Sequence, residues 1–324
     1  MKKLKLNRPI VFGLLVLFAV TAPLWFPRYY IQLSTQSLIL AITAMSFILL
    51  AGFGGMTTLA QMSFFMASGY IFGFCVMTKG WPFLPAIIAA IIGATALSAV
   101  FAYIAIRAKG VYYLMITFAL SLVAYGIAMQ WYQFTRGSEG FSGITRPSVF
   151  GISLINPIPM FYVTLTVSLI SYLLLRGVVK STFGVALQGI RDNPVRMASL
   201  GYDVQLHRFL ANVIAGLFAS IAGVLGVIFY GGVSPTTTGL WQSMLVVMAA
   251  TTGGVSLIEG GILGAFITTF LGSFASSATQ HYMTVVGTIF VLIVIFLPGG
   301  FLGSGKQVRR FLERVFNNSK QKNE

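Results

Sequence analysis

Charge is scarce in this chain. Of its 324 residues only 8% are Asp, Glu, Lys or Arg, against about 25% in soluble domains, which excludes an aqueous fold. The acidic residues are Glu139, Asp192, Asp203, Glu259, Glu313 and Glu324, and the only histidines are His207 and His281. Holding a charge at the bilayer centre costs about 2.5–3.5 kcal/mol, so ion-driven carriers keep such groups for a purpose. Here only Glu259 approaches an apolar run, which argues against a proton- or sodium-driven carrier. The single cysteine, Cys75, forbids an intrachain disulfide and reads as a small packing residue. No metal-ligand spacing and no G-x-x-x-x-G-K-[ST] occurs, so this chain is expected to hold no cofactor, and any ATP must be bound elsewhere.

What remains is apolar. The chain is 57% hydrophobic with 35 glycines, and its mean hydropathy is +0.88. A membrane barrel would show alternating segments of about ten residues, which are absent. The expectation is an all-α integral membrane protein, a polytopic helical bundle. At about 20 residues per crossing, spans fall near 9–27, 31–51, 59–78, 83–106, 111–132, 157–176, 208–230, 241–257, 261–280 and 283–298, about ten in all. The first run lacks a small-residue cleavage site and reads as a retained span. Residues 1–324 read as a single transmembrane domain, with an external loop near 133–156, a cytoplasmic loop near 177–207 and a cytoplasmic tail near 299–324.

The net charge of +15 would suit a nucleic-acid binder, but the basic residues flank apolar runs, so no nucleic-acid partner is expected. With the N-terminus inside, 17 of the 21 Lys and Arg fall on the cytoplasmic side, leaving Arg28, Lys79, Arg136 and Arg146 outside. That bias places both termini in the cytoplasm and the protein in the inner or plasma membrane.

One polar island interrupts the apolar sequence, Ser181 to Arg208. Thr182 is suited to cap a first helix whose Phe183, Leu187 and Ile190 form an apolar stripe. Asn193 suits a second N-cap, Pro194 the first helical position and Gly201 a left-handed stop, giving a helix of about two turns. A capped, charged hairpin between spans, displaying Arg191, Asp192 and Arg196, suits a soluble partner. His207, at the following helix start, reads as structural.

Small residues recur every fourth position at Ala86, Ala90, Ala94, Ser98 and Ala102, and again at Gly260, Gly264, Thr268, Gly272 and Ser276; a shorter set is Ala215, Ala219 and Gly223. Such faces allow close helix packing or line a path. Two glycine-rich breaks, Gly52 to Gly55 and Thr251 to Gly254, are followed by hydroxylated residues. Broken helices are tolerated where freed backbone lines a cavity or meets another helix. Gly54, Gly55, Thr57, Thr58, Ser63, Thr251, Thr252 and Gly253 are therefore expected near a substrate path. Gly140-Phe141-Ser142-Gly143 matches the GxSG of rhomboid-type proteases, with His281 on the same membrane side, yet Ser142 sits in an external run of turn formers that cannot manage water for such chemistry.

Ala186 to Gly201 (ALQGIRDNPVRMASLG) resembles the A-x-x-x-I-R-D-N-x-x-x-A-x-x-x-G loop of LivM-like ABC permeases for branched-chain amino acids. Gly52 to Tyr70, Gly137 to Pro147 and Phe296 to Gly300 are similar to three further stretches of that family. Ala60-Gln61 depart from its usual Gly-His or Gly-Gln, and Pro194-Val195 from its acidic–apolar pair. The resemblance implies a non-enzymatic permease subunit of an ATP-driven importer. It implies a sister permease, two cytoplasmic ATPases that bind ATP and Mg, and an extracytoplasmic binding protein as partners. The loop becomes a coupling helix, with Arg191, Asp192, Asn193, Pro194, Arg196 and Gly201 at the ATPase. Urea, short amides or other amino acids remain alternative cargoes, and an ATP-independent carrier or channel an alternative class.

Overall fold

The computed structural model describes residues 23, 25–144, 148–149, 152–153, 155–235, 239–297 and 299–303. Most of the expected span 9–27 and the tail from 304 onward lie outside the described residues. Within them the chain is built from helices: α1 (Arg28–Ile48, prolonged by a π-helical turn Leu49–Phe53), α2 (Gln61–Gly73, prolonged by Phe74–Thr78), α3 (Phe83–Ala105), α4 (Val111–Gln130), a short α5 (Tyr132–Thr135) and α6 (Pro157–Lys180). The expected loop hairpin follows as α7 (Thr182–Asp192) and α8 (Pro194–Ser199), and then come α9 (Val204–Tyr230), α10 (Leu240–Gly253), α11 (Ile258–Ala278), α12 (Tyr282–Phe296) and α13 (Gly300–Gly303).

Eight of these helices are long and apolar enough to cross a membrane. The eighth expected span, 241–257, is shorter than expected: α10 has only 14 residues, about 21 Å at 1.5 Å per residue against a hydrocarbon core of about 30 Å. It ends because Gly254 turns the chain at φ 109°.

The centre of the bundle is α1, whose Ala41, Ile42, Ala44, Met45 and Ile48 are fully buried among α6, α9, α10 and α11. Lipid is as apolar as a leucine, so close contact rather than water exclusion must hold such helices together. The α3 stripe does this. Ala86, Ala90, Ala94 and Ser98 are all 0% exposed, and a Cβ on Gly216 of α9 would lie 2.2 Å from that of Ser98. Farther along α9, a Cβ on Gly223 would lie 2.2 Å from the Phe65 carbonyl of α2. By contrast α4 and α12 leave most of their surface exposed. Four two-residue strands complete the described fold. β1 (Phe141–Ser142) pairs antiparallel with β4 (Gly232–Val233), and β2 (Ser148–Val149) with β3 (Ile152–Ser153).

Candidate translocation path and loop interface

The two ends of the bundle differ. At one end α7 and α8 project. Ser181, rather than Thr182, caps α7, accepting from the Gly184 amide at 3.4 Å; the backbone of Ser181 is extended whereas Thr182 is already helical. Leu187 and Ile190 are 0% exposed and seat α7 on the bundle. The Asn193 side chain accepts from the Arg196 amide at 3.0 Å, Pro194 opens α8, and Gly201 takes φ 88°. Asp203 then caps α9, accepting from the Leu206 amide at 2.9 Å. His207 ties the segment together, stacked on Phe183 and edge-on to Tyr202. No residue of α8 is buried, and Val195, Leu200 and Tyr202 join Asp192 and Arg196 on an exposed surface.

At the other end a cleft of about 910 Å³ opens. One wall is Leu33, Gln36, Leu40 and Thr43 of α1; another is Thr268, Thr269, Gly272, Ser273 and Ser276 of α11. Phe141, Ser142 and Gly143 close a third side beside Val233, held there by the β1–β4 pair. Met62 and Phe65 contribute from the inner part of α2, and among the described residues Glu139 is the one charged residue in the lining. The cleft touches α9 at Gly226 and beyond, 22 residues from its start at Val204 and so about 33 Å away along the helix. Chemically the lining is aliphatic and aromatic surface interrupted by hydroxyl and amide groups. It suits a small solute with an apolar side chain and a polar head.

The structure places Gly54, Gly55, Thr57, Thr58, Ser63, Thr251, Thr252 and Gly253 at the loop end, outside the cleft lining. Gly54 and Gly55 adjoin α7: a Cβ on Gly54 would lie 3.7 Å from a Leu187 methyl, and one on Gly55 2.6 Å from Arg191 Cγ. Thr57 is exposed. The Thr58 hydroxyl accepts from the Ala60 amide at 3.1 Å, and Ser63 is buried in α2. Thr251 and Thr252 turn their hydroxyls back onto carbonyls of α10 at 2.8 and 3.1 Å. Gly253 packs on α11, where a Cβ would stand 1.7 Å from the Gly260 carbonyl.

Sequence reasoning missed Gln36, Thr43, Trp241, Gln242, Thr269 and Ser273. The available signal was polar residues at helical spacing on otherwise apolar spans, such as Gln36 and Thr43 seven apart. It also missed Gln61. This side chain is 2% exposed, its Oε1 accepts from the Ser46 hydroxyl at 3.2 Å, and its Nε2 is buried without a partner among the described residues. Glu259, in the first turn of α11, accepts from the Tyr172 hydroxyl at 2.8 Å, which in turn accepts from Arg176 at 3.0 Å. It therefore joins α11 to α6 rather than standing alone.

The LivM permease protein of the high-affinity branched-chain amino acid transport system of Escherichia coli (strain K12) is 22% identical over 311 residues, covering 89% of this chain and 73% of the relative. A probable LivH permease of Methanocaldococcus jannaschii is 30% identical over 153 residues, covering 47% of this chain and 42% of that protein. The autoinducer 2 import permease LsrC of Klebsiella pneumoniae is 28% identical over 154 residues, 48% and 40% of the two chains. The family described as the permease component of the branched-chain amino acid transport system matches residues 29–297. With that match running across the helical bundle, the cleft and the α7–α8 loop, the chain belongs to that permease family.

Proposed function

We propose that this chain is the permease subunit of an ABC importer carrying branched-chain amino acids, paired with a sister permease, two ATPases that bind ATP and Mg, and an extracytoplasmic binding protein. The loop end, with both termini, faces the cytoplasm, and the cleft faces the binding protein. The observation that carries this reading is the doubly capped, exposed α7–α8 hairpin at the end opposite an open cleft, in a chain of this family. Basic residues support the orientation. Arg107, Lys109, Arg176, Lys180, Arg191, Arg196 and Arg208 fall towards the hairpin end, and Arg28, Lys79 and Arg136 towards the other.

The cleft accounts for the cargo class. Leu40, Phe65 and Leu245 offer apolar surface to an aliphatic side chain, while Thr and Ser hydroxyls with Glu139 meet a zwitterionic head. ATP binding in the partner moves the hairpin, and the bundle answers by closing the cleft and opening the loop end. The test is ATP-driven uptake of radiolabelled leucine, isoleucine and valine by the four-component complex in proteoliposomes with the binding protein inside or outside. Uptake is expected only with ATP on the hairpin side. Uptake by this chain alone, or uptake of urea or amides in preference to leucine, overturns the reading.

A further inference from the structure

In the sequence Arg191 belongs with Asp192 and Arg196 as a residue shown to a partner, and its side chain is 40% exposed, yet one end of its guanidinium reaches into the bundle. Its Nη1 donates to the Gly52 carbonyl at 2.5 Å. That carbonyl lies in the last turn of α1, where carbonyls have no onward helical partner and the helix dipole places partial negative charge. The Arg191 Nε and Nη2 both reach Asp192 Oδ1 at 2.9 Å, which fixes the direction of the guanidinium. Its methylenes lie across Gly55, at φ 66°, where a Cβ would approach Arg191 Cγ to 2.6 Å.

Gly52 has a second neighbour. A Cβ there would stand 1.9 Å from the Val255 carbonyl, so the first glycine break touches the second backbone to backbone. The second break touches a third turn: a Cβ on Gly300 would lie 2.4 Å from the Gly254 Cα. Three glycine turns, separated by some two hundred and by forty-odd residues of chain, thus form one node at the loop end, and a single guanidinium joins it to α7.

We infer that Arg191 is a positioning residue, a strut that transmits displacement of α7 to the glycine node closing the inner end of the path. This rests on α7–α8 being the hairpin driven by the ATPases. The Leu187 contact with Gly54 resists compression but offers little against separation, since dispersion falls off within an ångström. A charged, directional hydrogen bond to a helix-end carbonyl resists a pull as well. Removing it leaves a motor that still docks and turns over while the node no longer follows.

The experiment compares wild type with Arg191→Gln in the full complex in proteoliposomes, reading leucine uptake, ATP turnover and co-purification of the ATPases. A fluorophore on Ser256→Cys, an exposed position two residues beyond the second break, reports the node. Arg191→Gln is expected to lower uptake per ATP hydrolysed by about tenfold or more, as loss of a charged hydrogen bond implies, and to abolish the ATP-dependent change in fluorescence. Unchanged uptake per ATP with the fluorescence change intact overturns the strut while the importer reading stands. Loss of ATPase co-purification also overturns it, making Arg191 a docking residue. Should the glutamine variant fail to fold, Arg191→Met gives the same test, because its side chain still covers Gly55 but offers no donor to the Gly52 carbonyl, and a wild-type ratio there refutes the idea. Absence of ATP-driven uptake in wild type refutes instead the importer reading itself.

Discussion

Replacing one glycine by alanine should have opposite effects at two places in this bundle. At Gly177, inside α6, an added Cβ meets nothing within 4 Å. Alanine there removes the entropic penalty of a helical glycine and should stabilise by about 0.5–1 kcal/mol. At Gly52 the same methyl would stand 1.9 Å from the Val255 carbonyl, where real Cβ contacts under 3.0 Å essentially never occur. The two breaks must separate by about an ångström or more, an overpacking penalty of about 1–3 kcal/mol. The shift also moves the carbonyl that Arg191 holds, and a charged hydrogen bond contributes about 1.5–3 kcal/mol. Allowing for partial retention, Gly52→Ala should cost about 2–4 kcal/mol, lowering Tm by roughly 4–10 °C. Thermal unfolding of the purified permease, followed by the loss of monodisperse protein on gel filtration, reads both variants side by side. Equal Tm values for Gly52→Ala and Gly177→Ala would refute the claim that the breaks are in backbone contact.

Three further outcomes follow from single positions. Gly201→Val meets open space but must hold φ 88°, at a cost of about 1–2 kcal/mol confined to the hairpin; ATPase co-purification should fall while Tm of the bundle stays fixed, and intact docking would count against α8 as the contact. Gly272→Leu likewise meets nothing within 4 Å but narrows the cleft, so leucine uptake should drop about tenfold or more at unchanged Tm; wild-type uptake would remove the cleft from the path. Gln61→Met removes a buried, unpartnered amide and should raise stability by about 1–3 kcal/mol, because Ser46 keeps its 2.7 Å bond to the Thr43 carbonyl; a lower Tm would show that the amide is satisfied.

The parts of this protein that were legible in its sequence are those set by local chemistry. Asn193, Pro194 and Gly201 each act on backbone within three residues, so cap, start and stop fall where the residue types place them. The cap of α7 slipped by one because Ser181 and Thr182 are equally competent acceptors, and only the extended backbone at Ser181 separates them. Apolar runs found the long helices for the same reason. They overstated α10, because hydropathy counts Gly253 and Gly254 as membrane-compatible while the backbone turns at Gly254. The glycine node was not legible. Gly52, Val255 and Gly300 become neighbours only through the packing of α1, α10 and α13, and no spacing rule connects them.

The stripe on α11 shows where reading a pattern stops. Gly260, Gly264, Thr268, Gly272 and Ser276 look equivalent in sequence, and packing and path-lining both fit them. In the structure the stripe divides along its length. At one end a Cβ on Gly264 would stand 1.7 Å from the Ala249 carbonyl and one on Gly260 2.2 Å from that of Gly254, so α10 and α11 are joined there as closely as backbones allow. One to three turns farther on, Thr268, Gly272 and Ser276 face the cleft, and Gly272 has nothing beside it. A small side chain records only that little space is filled by the residue itself. Whether a neighbouring helix or a solute fills the rest depends on depth along the bundle. On α11 that depth is set by the fourteen-residue length of α10, which starts at the cleft with Trp241 and ends on the glycine node.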